Sequence, residues 1–385
     1  MTTTSSLLDW FAIVAPGLEP LALREARSLG LNANLEDGGI AWSRDAESGL
    51  RANAALRIPS RVVARLASFE ARSFAELERH ARKVAWWRVL RSGDAVRFRV
   101  TCKKSKLYHS DAVAQRFADA VVRSIPGVRA EGGSITDDEA NEEEDVALIV
   151  VRVMRDVVTV SADSSGALLH RRGYRQATAK APLRETIAAA MIAASDWDGT
   201  SPLVDPLCGS GTIPIEAALQ ARGIAPGAQR RFAMERWPTV EAGLGDRVRA
   251  ELKSREPRNG HLVIVGSDRD AGAIAAATSN AARAGVEGDV AFAIHSLSAA
   301  RFPSASRGWV VTNPPYGVRV GDADRVRDLW AQLGNVLRER TPGWRLALLS
   351  PDPMLDRQLR IPLKAVVTTS NGGIPVRIMV GDIPS

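Results

Sequence analysis

The chain has 385 residues, is 45% hydrophobic and 25% charged, and carries a net charge of +7. That length suits two or three domains of about 150 residues each, and the balance is that of a globular protein rather than a fibrous or disordered one. No apolar run approaches the roughly 18 residues of a membrane span, and two cysteines, Cys102 and Cys208, exclude a disulfide framework or a cysteine zinc site.

Five histidines (His80, His109, His170, His261, His295) are scattered without metal-ligand spacing, so no metal is expected. Met1 to Ser6 have neither a basic start nor an apolar core, so no export signal is expected, and the cytoplasm is the expected location. The basic balance attracts polyanions. Arginine also outnumbers lysine and alanine is abundant, as genomic composition bias would produce, so charge by itself leaves both readings open.

In chain order, Asp9 to Ala15 reads as a strand, and Pro20 to Leu29 as a helix stopped by Gly30. Gly38 to Trp42 predicts a turn and a strand; Leu50 to Leu56 and Ser73 to Ala81 predict helices. Val96 to Val100 alternates apolar and basic residues as a half-exposed strand does. Asp111 to Ser124 is an amphipathic helix, and the acidic run Asp137 to Asp145 reads as a solvated loop. Val146 to Val153 and Val157 to Ala162 are strands about a turn at Met154 to Asp156. This half mixes strand and helix without a repeating βαβ unit, so an α+β fold is expected.

After a polar connector holding Arg171, Arg172 and Arg175, the pattern changes to alternating helix and apolar strand. Helices are predicted over Glu185 to Ala194, Thr212 to Ala221, Asp270 to Ala284 and Asp324 to Arg340. Strands are predicted over Pro202 to Pro206, Leu262 to Gly266, Val290 to Ile294, Trp309 to Thr312 and Trp344 to Leu349. Arg222 to Gly260 reads as a charged insertion with one helix. Lys364 to Thr369 and Val376 to Val380 flank the turn signal Asn371-Gly372-Gly373. The expected fold class is α/β, a doubly wound sheet ending in an antiparallel hairpin, with ligands at the carboxyl ends of its strands.

Three motifs fall at those ends. Asp205-Pro206-Leu207-Cys208-Gly209-Ser210-Gly211-Thr212 joins the first strand to a helix. A phosphate loop would need a lysine near Thr212, and a dinucleotide turn a third glycine where Pro214 stands, so both phosphate readings fail. An acidic strand end with a small-residue turn suits a cofactor bearing an ammonium and a carboxylate, such as S-adenosylmethionine. Cys208 inside this turn is read as a small packing residue rather than a nucleophile. In Gly266-Ser267-Asp268-Arg269-Asp270, Asp268 is placed to accept ribose hydroxyls, and Asp270 to cap the next helix.

Asn313-Pro314-Pro315-Tyr316-Gly317 closes the fourth strand. Two prolines cannot extend a sheet, so they stiffen the loop. It offers an Asn oxygen, the Pro314 carbonyl and an aromatic face, the parts needed to hold a planar ring with an exocyclic amine. Such a clamp orients the nitrogen lone pair toward a methyl donor and stabilises the charge that develops there. The residues themselves leave guanine N2 and adenine N6 both open.

In this order, DPLCGSGT, GSD and TNPPYG resemble the class I S-adenosylmethionine-dependent methyltransferases. More narrowly, they resemble the bacterial guanine-N2 RNA methyltransferases with an N-terminal THUMP domain. Phe11 to Glu25, His170 to Arg175 and Ala181 to Ala189 share in that resemblance. It implies a ferredoxin-like segment over 1–44, a THUMP domain over 45–165, a linker over 166–180 and a methyltransferase domain over 181–385. It implies RNA as partner, with 23S ribosomal RNA favoured and transfer RNA the alternative. It also implies Asp205, Pro206, Cys208, Gly209, Ser210, Gly211 and Thr212 at the methionine part of the cofactor and Asp268 at its ribose, with Arg269 and Asn313 also cofactor-binding. Pro182 and Glu185 would close one side of the pocket, and Asn313, Pro314, Pro315 and Tyr316 would hold the guanine. Relatives often carry an acid at the adenine contact; here His295-Ser296 stands in its place, so Ser296 or backbone is expected to make that contact. Some relatives have a second methyltransferase domain downstream; none is expected here. Lys103, Lys104 and Lys106 beside Tyr108, together with Arg171, Arg172 and Arg175, are the expected phosphate contacts. A non-catalytic RNA-binding or assembly protein is the rival of another class; a nicotinamide oxidoreductase is disfavoured by Pro214.

Overall fold

The computed structural model describes residues 7–135, 146–175, 183–254, 260–316 and 323–385. The acidic run, Pro182 and Gly317 therefore lie outside the described residues. In chain order the first elements are β1 (Leu8–Ile13), α1 (Glu19–Ser28), β2 (Asn34–Glu36), β3 (Gly39–Arg44), α2 (Ala46–Ala55), β4 (Arg61–Glu70), α3 (Phe74–Ala81), β5 (Ala95–Lys103), α4 (Ser110–Ser124), β6 (Arg129–Ser134), β7 (Val146–Met154) and β8 (Val157–Asp163). There follow α5 (Glu185–Ala194), β9 (Leu203–Asp205), α6 (Thr212–Ala221), α7 (Leu244–Ser254), β10 (Ile264–Asp268), α8 (Ala271–Ala284), β11 (Val290–Ile294), β12 (Trp309–Thr312), α9 (Ala323–Arg340), β13 (Arg345–Ser350), α10 (Pro353–Leu359), β14 (Lys364–Asn371) and β15 (Ile374–Asp382). No helix among the described residues is long and apolar enough to cross a membrane.

The described residues form two compact units. The first takes its residues from Met1–Ile13, Ala26–Leu169 and Arg230–Glu251. Its eight strands make one mixed sheet in the order β2-β3-β1-β4-β8-β7-β5-β6. The sheet runs without a break across residue 45, the expected boundary between ferredoxin-like and THUMP parts. Trp10 is fully buried and stacks between Trp42 and Trp237, with ring centroids 6.3 and 6.2 Å away. Trp237 lies in the charged insertion, so Arg230–Glu251 completes the core of this unit rather than of the following one.

Three of its strands escape a reading of the sequence: β2, which is three exposed residues, and β4 and β6. β4 opens on Arg61, whose side chain is fully buried and ion-paired with Asp163, and it carries a bulge between Arg65 and Ala67. A buried ion pair and a bulge erase the alternation that announces a strand. β6 is Arg-Ala-Glu-Gly-Gly-Ser, an edge strand with almost no apolar side chain to reveal it. By contrast, the turn at Arg155 and Asp156 is as expected, both residues taking positive φ (52° and 65°) between β7 and β8.

The second unit takes Val14–Glu25, His170–Gln229 and Leu252–Ser385. Its sheet has the order β11-β10-β9-β12-β13-β15-β14. β9, β10, β11, β12 and β13 are parallel, and β15 runs antiparallel between β13 and β14. Leu203, Val204, Trp309, Val310, Val311, Leu346 and Leu348 are at most marginally exposed, so the central strands are apolar on both faces, as parallel strands between helices must be. From β9 the chain goes to β10 on one side, and later to β12 on the other. That reversal opens a crevice at the carboxyl ends of β9 and β12, the place where open α/β sheets bind ligands.

Candidate active site

Asp205, Asp268 and Thr312 are the last residues of β9, β10 and β12, three adjacent strands. Thr312 Oγ1 donates to Asp205 Oδ1 at 2.6 Å, and the Leu207 N–H donates to the same oxygen at 3.1 Å. Both side chains are buried. Burial pushes the Asp205 carboxyl up to about 7; the two donors oppose this shift, and the nearby Asp268 carboxylate adds to it. The bond ties the glycine turn after β9 to the loop after β12.

The turn itself is held by backbone contacts with β10. The Cys208 N–H donates to the Ser267 carbonyl and the Gly209 N–H to Asp268 Oδ2, both at 3.0 Å. Asp268 Oδ1 accepts the Asp270 N–H at 3.0 Å. Gly209 and Gly211 take φ of +52° and +82°, where other residues are strained. A Cβ on Gly211 would stand 2.9 Å from Ala277 and from the Phe292 ring. A Cβ on Gly266 would meet that ring at 2.7 Å and Cys208 Sγ at 3.2 Å. Cys208 is thus wedged in a small space, and burial pushes its thiol far above the ordinary range, as suits a small packing residue. Asp270 caps α8, its carboxylate accepting the Gly272 and Ala273 N–H groups, as expected.

Arg172 and Arg175 do not face solvent as phosphate contacts would. Arg172 is 5% exposed, its guanidinium 3.4 Å from Glu216, to which the Tyr174 hydroxyl also donates at 3.1 Å. Arg175 donates to Thr212 Oγ1 and to the Leu183 carbonyl, each at 2.7 Å, and pairs with Glu185 at 3.3 Å. Their place as RNA contacts is therefore corrected: Arg175 holds Thr212 at the end of the glycine turn, and Arg172 pairs with Glu216 on α6. The opposite charges on α5 and α6 that call for them are invisible without the fold. Arg171 is exposed. Asn280, also unforeseen, is fully buried on α8 and donates to the Ser210 carbonyl at 3.0 Å. Through Arg175, Glu185 comes beside the first turn of α6. Burial pushes its carboxyl to about 7 against the pull of Arg175, and its Oε2 is buried without a hydrogen-bond partner.

After β12, Asn313 is half-buried, Pro314 buried, Pro315 exposed and Tyr316 half-buried. Asn313 Oδ1 is buried with no hydrogen-bond partner. Trp330 on α9, fully buried, donates its indole N–H to the Pro315 carbonyl at 3.0 Å. Asn371 at the end of β14 donates to the Tyr316 hydroxyl at 3.0 Å. Neither anchor is legible in the sequence, because each lies on an element far along the chain.

These residues fit S-adenosylmethionine. Among the described residues, two carboxyl groups and no lysine line the strand ends, which favours a cation over phosphate. Each Asp268 oxygen uses one lone pair on a backbone N–H, and the others stay available for ribose hydroxyls. A Cβ at Gly209 would meet open space, so the turn is not filled by protein there. Pro206 is buried and Ser210 half-buried in the turn; Arg269 is exposed. Ser296 is exposed too, 3.1 Å from Ser298 Oγ, and one residue beyond His295, whose N–H donates to the Asp268 carbonyl. Lys103, Lys104, Lys106 and Tyr108 are all exposed in the first unit.

A sheet that reverses at β9, with an acidic glycine turn on one side of the reversal and an Asn-Pro-Pro-Tyr loop on the other, defines a class I methyltransferase. Residues 172–378 match the family UPF0020, the RMKL-like methyltransferase domain, and residues 9–63 match the RlmL ferredoxin-like domain. The chain is 32% identical over 96% of its length, and 95% of the other's, to slr0064 of Synechocystis, described as a candidate RNA methyltransferase. It is 33% identical to the ribosomal RNA large subunit methyltransferase K/L of Syntrophotalea carbinolica over 98% of its own length, but spans only 54% of that relative. Among solved structures, SMU.472, a candidate methyltransferase complexed with S-adenosylhomocysteine, is 29% identical with a TM-score of 0.85, covering 97% of both chains. The chain belongs to the RMKL-like methyltransferase family, and its methyl donor is S-adenosylmethionine.

Proposed function

We propose that the chain transfers a methyl group from S-adenosylmethionine to the exocyclic N2 of a guanine in structured RNA, with 23S ribosomal RNA as the substrate. The observation that carries this reading is the orphaned Asn313 Oδ1. A buried amide oxygen without a donor costs roughly 1–3 kcal/mol, a cost relieved when an N–H arrives. The large-subunit names of the K/L relatives support ribosomal RNA as the source of that N–H.

When bound, S-adenosylmethionine supplies an electrophilic methyl group on a sulfonium. Asp268 accepts the ribose hydroxyls, the turn from Asp205 to Thr212 cradles the methionine part, and Glu185 closes the side next to α6. Asn313 Oδ1 and the Pro314 carbonyl accept the two N–H bonds of the guanine amine, which aims its lone pair and stabilises the positive charge building on nitrogen. Tyr316 offers its face to the base, worth about 1–3 kcal/mol. The extra proton on the methylated nitrogen would pass to solvent water after transfer, so positioning rather than a general base would supply the acceleration. Lys103, Lys104 and Lys106 hold RNA phosphates without reading bases.

The test is digestion of RNA to nucleosides after reaction with labelled donor. N2-methylguanosine is the expected product; N6-methyladenosine in its place rejects the choice of base. Asn313→Ala should lower kcat by about 100-fold or more, as loss of one preorganised group does, while calorimetry finds donor binding intact. Unchanged methylation in that variant, with tight RNA binding, would mean a binding protein instead.

A further inference from the structure

Asn371 is the last residue of β14 and lies on its buried row, in line with Val367 and Thr369. It is 7% exposed. The hairpin does not demand an asparagine there: the two positions with positive φ are Gly372 (+58°) and Gly373 (+83°), and Asn371 is paired in the ladder with Ile374. An apolar residue would continue the buried row, whereas a buried amide is costly unless it is hydrogen-bonded. Its Nδ2 donates to the Tyr316 hydroxyl at 3.0 Å. Stacking on a base needs only a ring, which phenylalanine would provide equally well. The hydroxyl of Tyr316 therefore serves a purpose besides stacking.

We propose that Asn371 is a positioning residue for the acceptor base: through the Tyr316 hydroxyl it sets the tilt of the ring on which the base stacks. The inference rests on the reading of Tyr316 as part of the acceptor site. The indole of Trp330 on the Pro315 carbonyl holds the same loop from α9, so ring and backbone are anchored independently. Asn371 acts on the acceptor side and leaves the donor side alone, because the cofactor turn is secured through Asp205, Asp268 and Asn280.

The test uses the full chain, unmodified large-subunit RNA from cells lacking this gene, and labelled S-adenosylmethionine. Asn371→Ala should lower kcat/KM for RNA about three- to tenfold, the worth of one buried hydrogen bond, with the donor Kd unchanged. Tyr316→Phe should lose a similar amount, and the double variant should be no worse than either single one. Asn371→Asp, able to accept the phenolic proton, should recover part of the activity, which a folding defect would not allow. Additive losses, a parallel loss of donor affinity, or full activity in Asn371→Ala would each overturn the proposal. Tyr316→Ala separates the two layers. If it leaves RNA kinetics untouched, the acceptor reading falls and this inference with it; if it is crippled while Asn371→Ala is not, only the inference falls.

Discussion

Asp205 shows how one residue's surroundings set its chemistry. Its folded value of about 7 lies above the ordinary 3.8, chiefly through burial. Between those values the folded chain holds a proton that the unfolded chain has released. This group's contribution to stability is thus most favourable below pH 3.8 and declines as pH rises toward 7. A cationic donor needs the carboxylate, so its affinity should rise with pH across that same upper limit. Calorimetry at pH 6 and 7.5 should find S-adenosylmethionine bound several-fold more tightly at the higher pH, as expected for a carboxyl titrating near 7. Asp205→Asn should flatten most of that difference; an equally steep profile in the variant would assign the titration to another group, Glu185 first. The acid at position 205 and the Asn at 313 are legible in the sequence because chemistry and strand end coincide there. Asn371 and Trp330 are not, since what matters is the hydroxyl or carbonyl each one meets.

At the scale of elements, most helices and strands of the second unit follow from apolar periodicity and their caps. The exceptions are short or internally compensated: α10 in this unit has seven residues, and in the first unit β4 hides a buried ion pair. The same compensation misleads about Arg172. A run of arginines in a connector looks like a phosphate-binding stretch until α6 presents Glu216 to it. Arg172→Met should cost about 3–5 kcal/mol, because it removes a cationic partner from a buried carboxylate, and denaturant unfolding would measure that loss. The salt dependence of RNA binding should be unaffected. A stable variant whose binding had become less salt-sensitive would instead place this side chain on the RNA.

For the whole molecule, order along the chain and membership of a compact unit disagree. Val14–Glu25 belongs to the catalytic unit and Arg230–Glu251 to the other. Gly17 has φ of +84°, and a Cβ there would stand 2.1 Å from the Thr368 carbonyl of β14. Gly17→Ala should therefore destabilise by at least about 2 kcal/mol, combining left-handed strain with a backbone clash. A thermal scan would register this as a lower Tm, and no change would mean that the close approach is absent in solution. The charge of +7 bears on RNA at the same scale. Replacing Lys103, Lys104 and Lys106 by alanine should reduce the slope of log K against log salt by about 2–3, at 0.7–0.9 per phosphate contact; an unaltered slope would leave them as solvated surface. By itself the sequence determined the class of sheet and the tight loops at its strand ends, because glycine, proline and strand-end acids act through the backbone locally. Tertiary structure alone decided which arginines are structural, what anchors the Asn-Pro-Pro-Tyr loop and where each unit begins, because these depend on partners that only folding brings within hydrogen-bond reach.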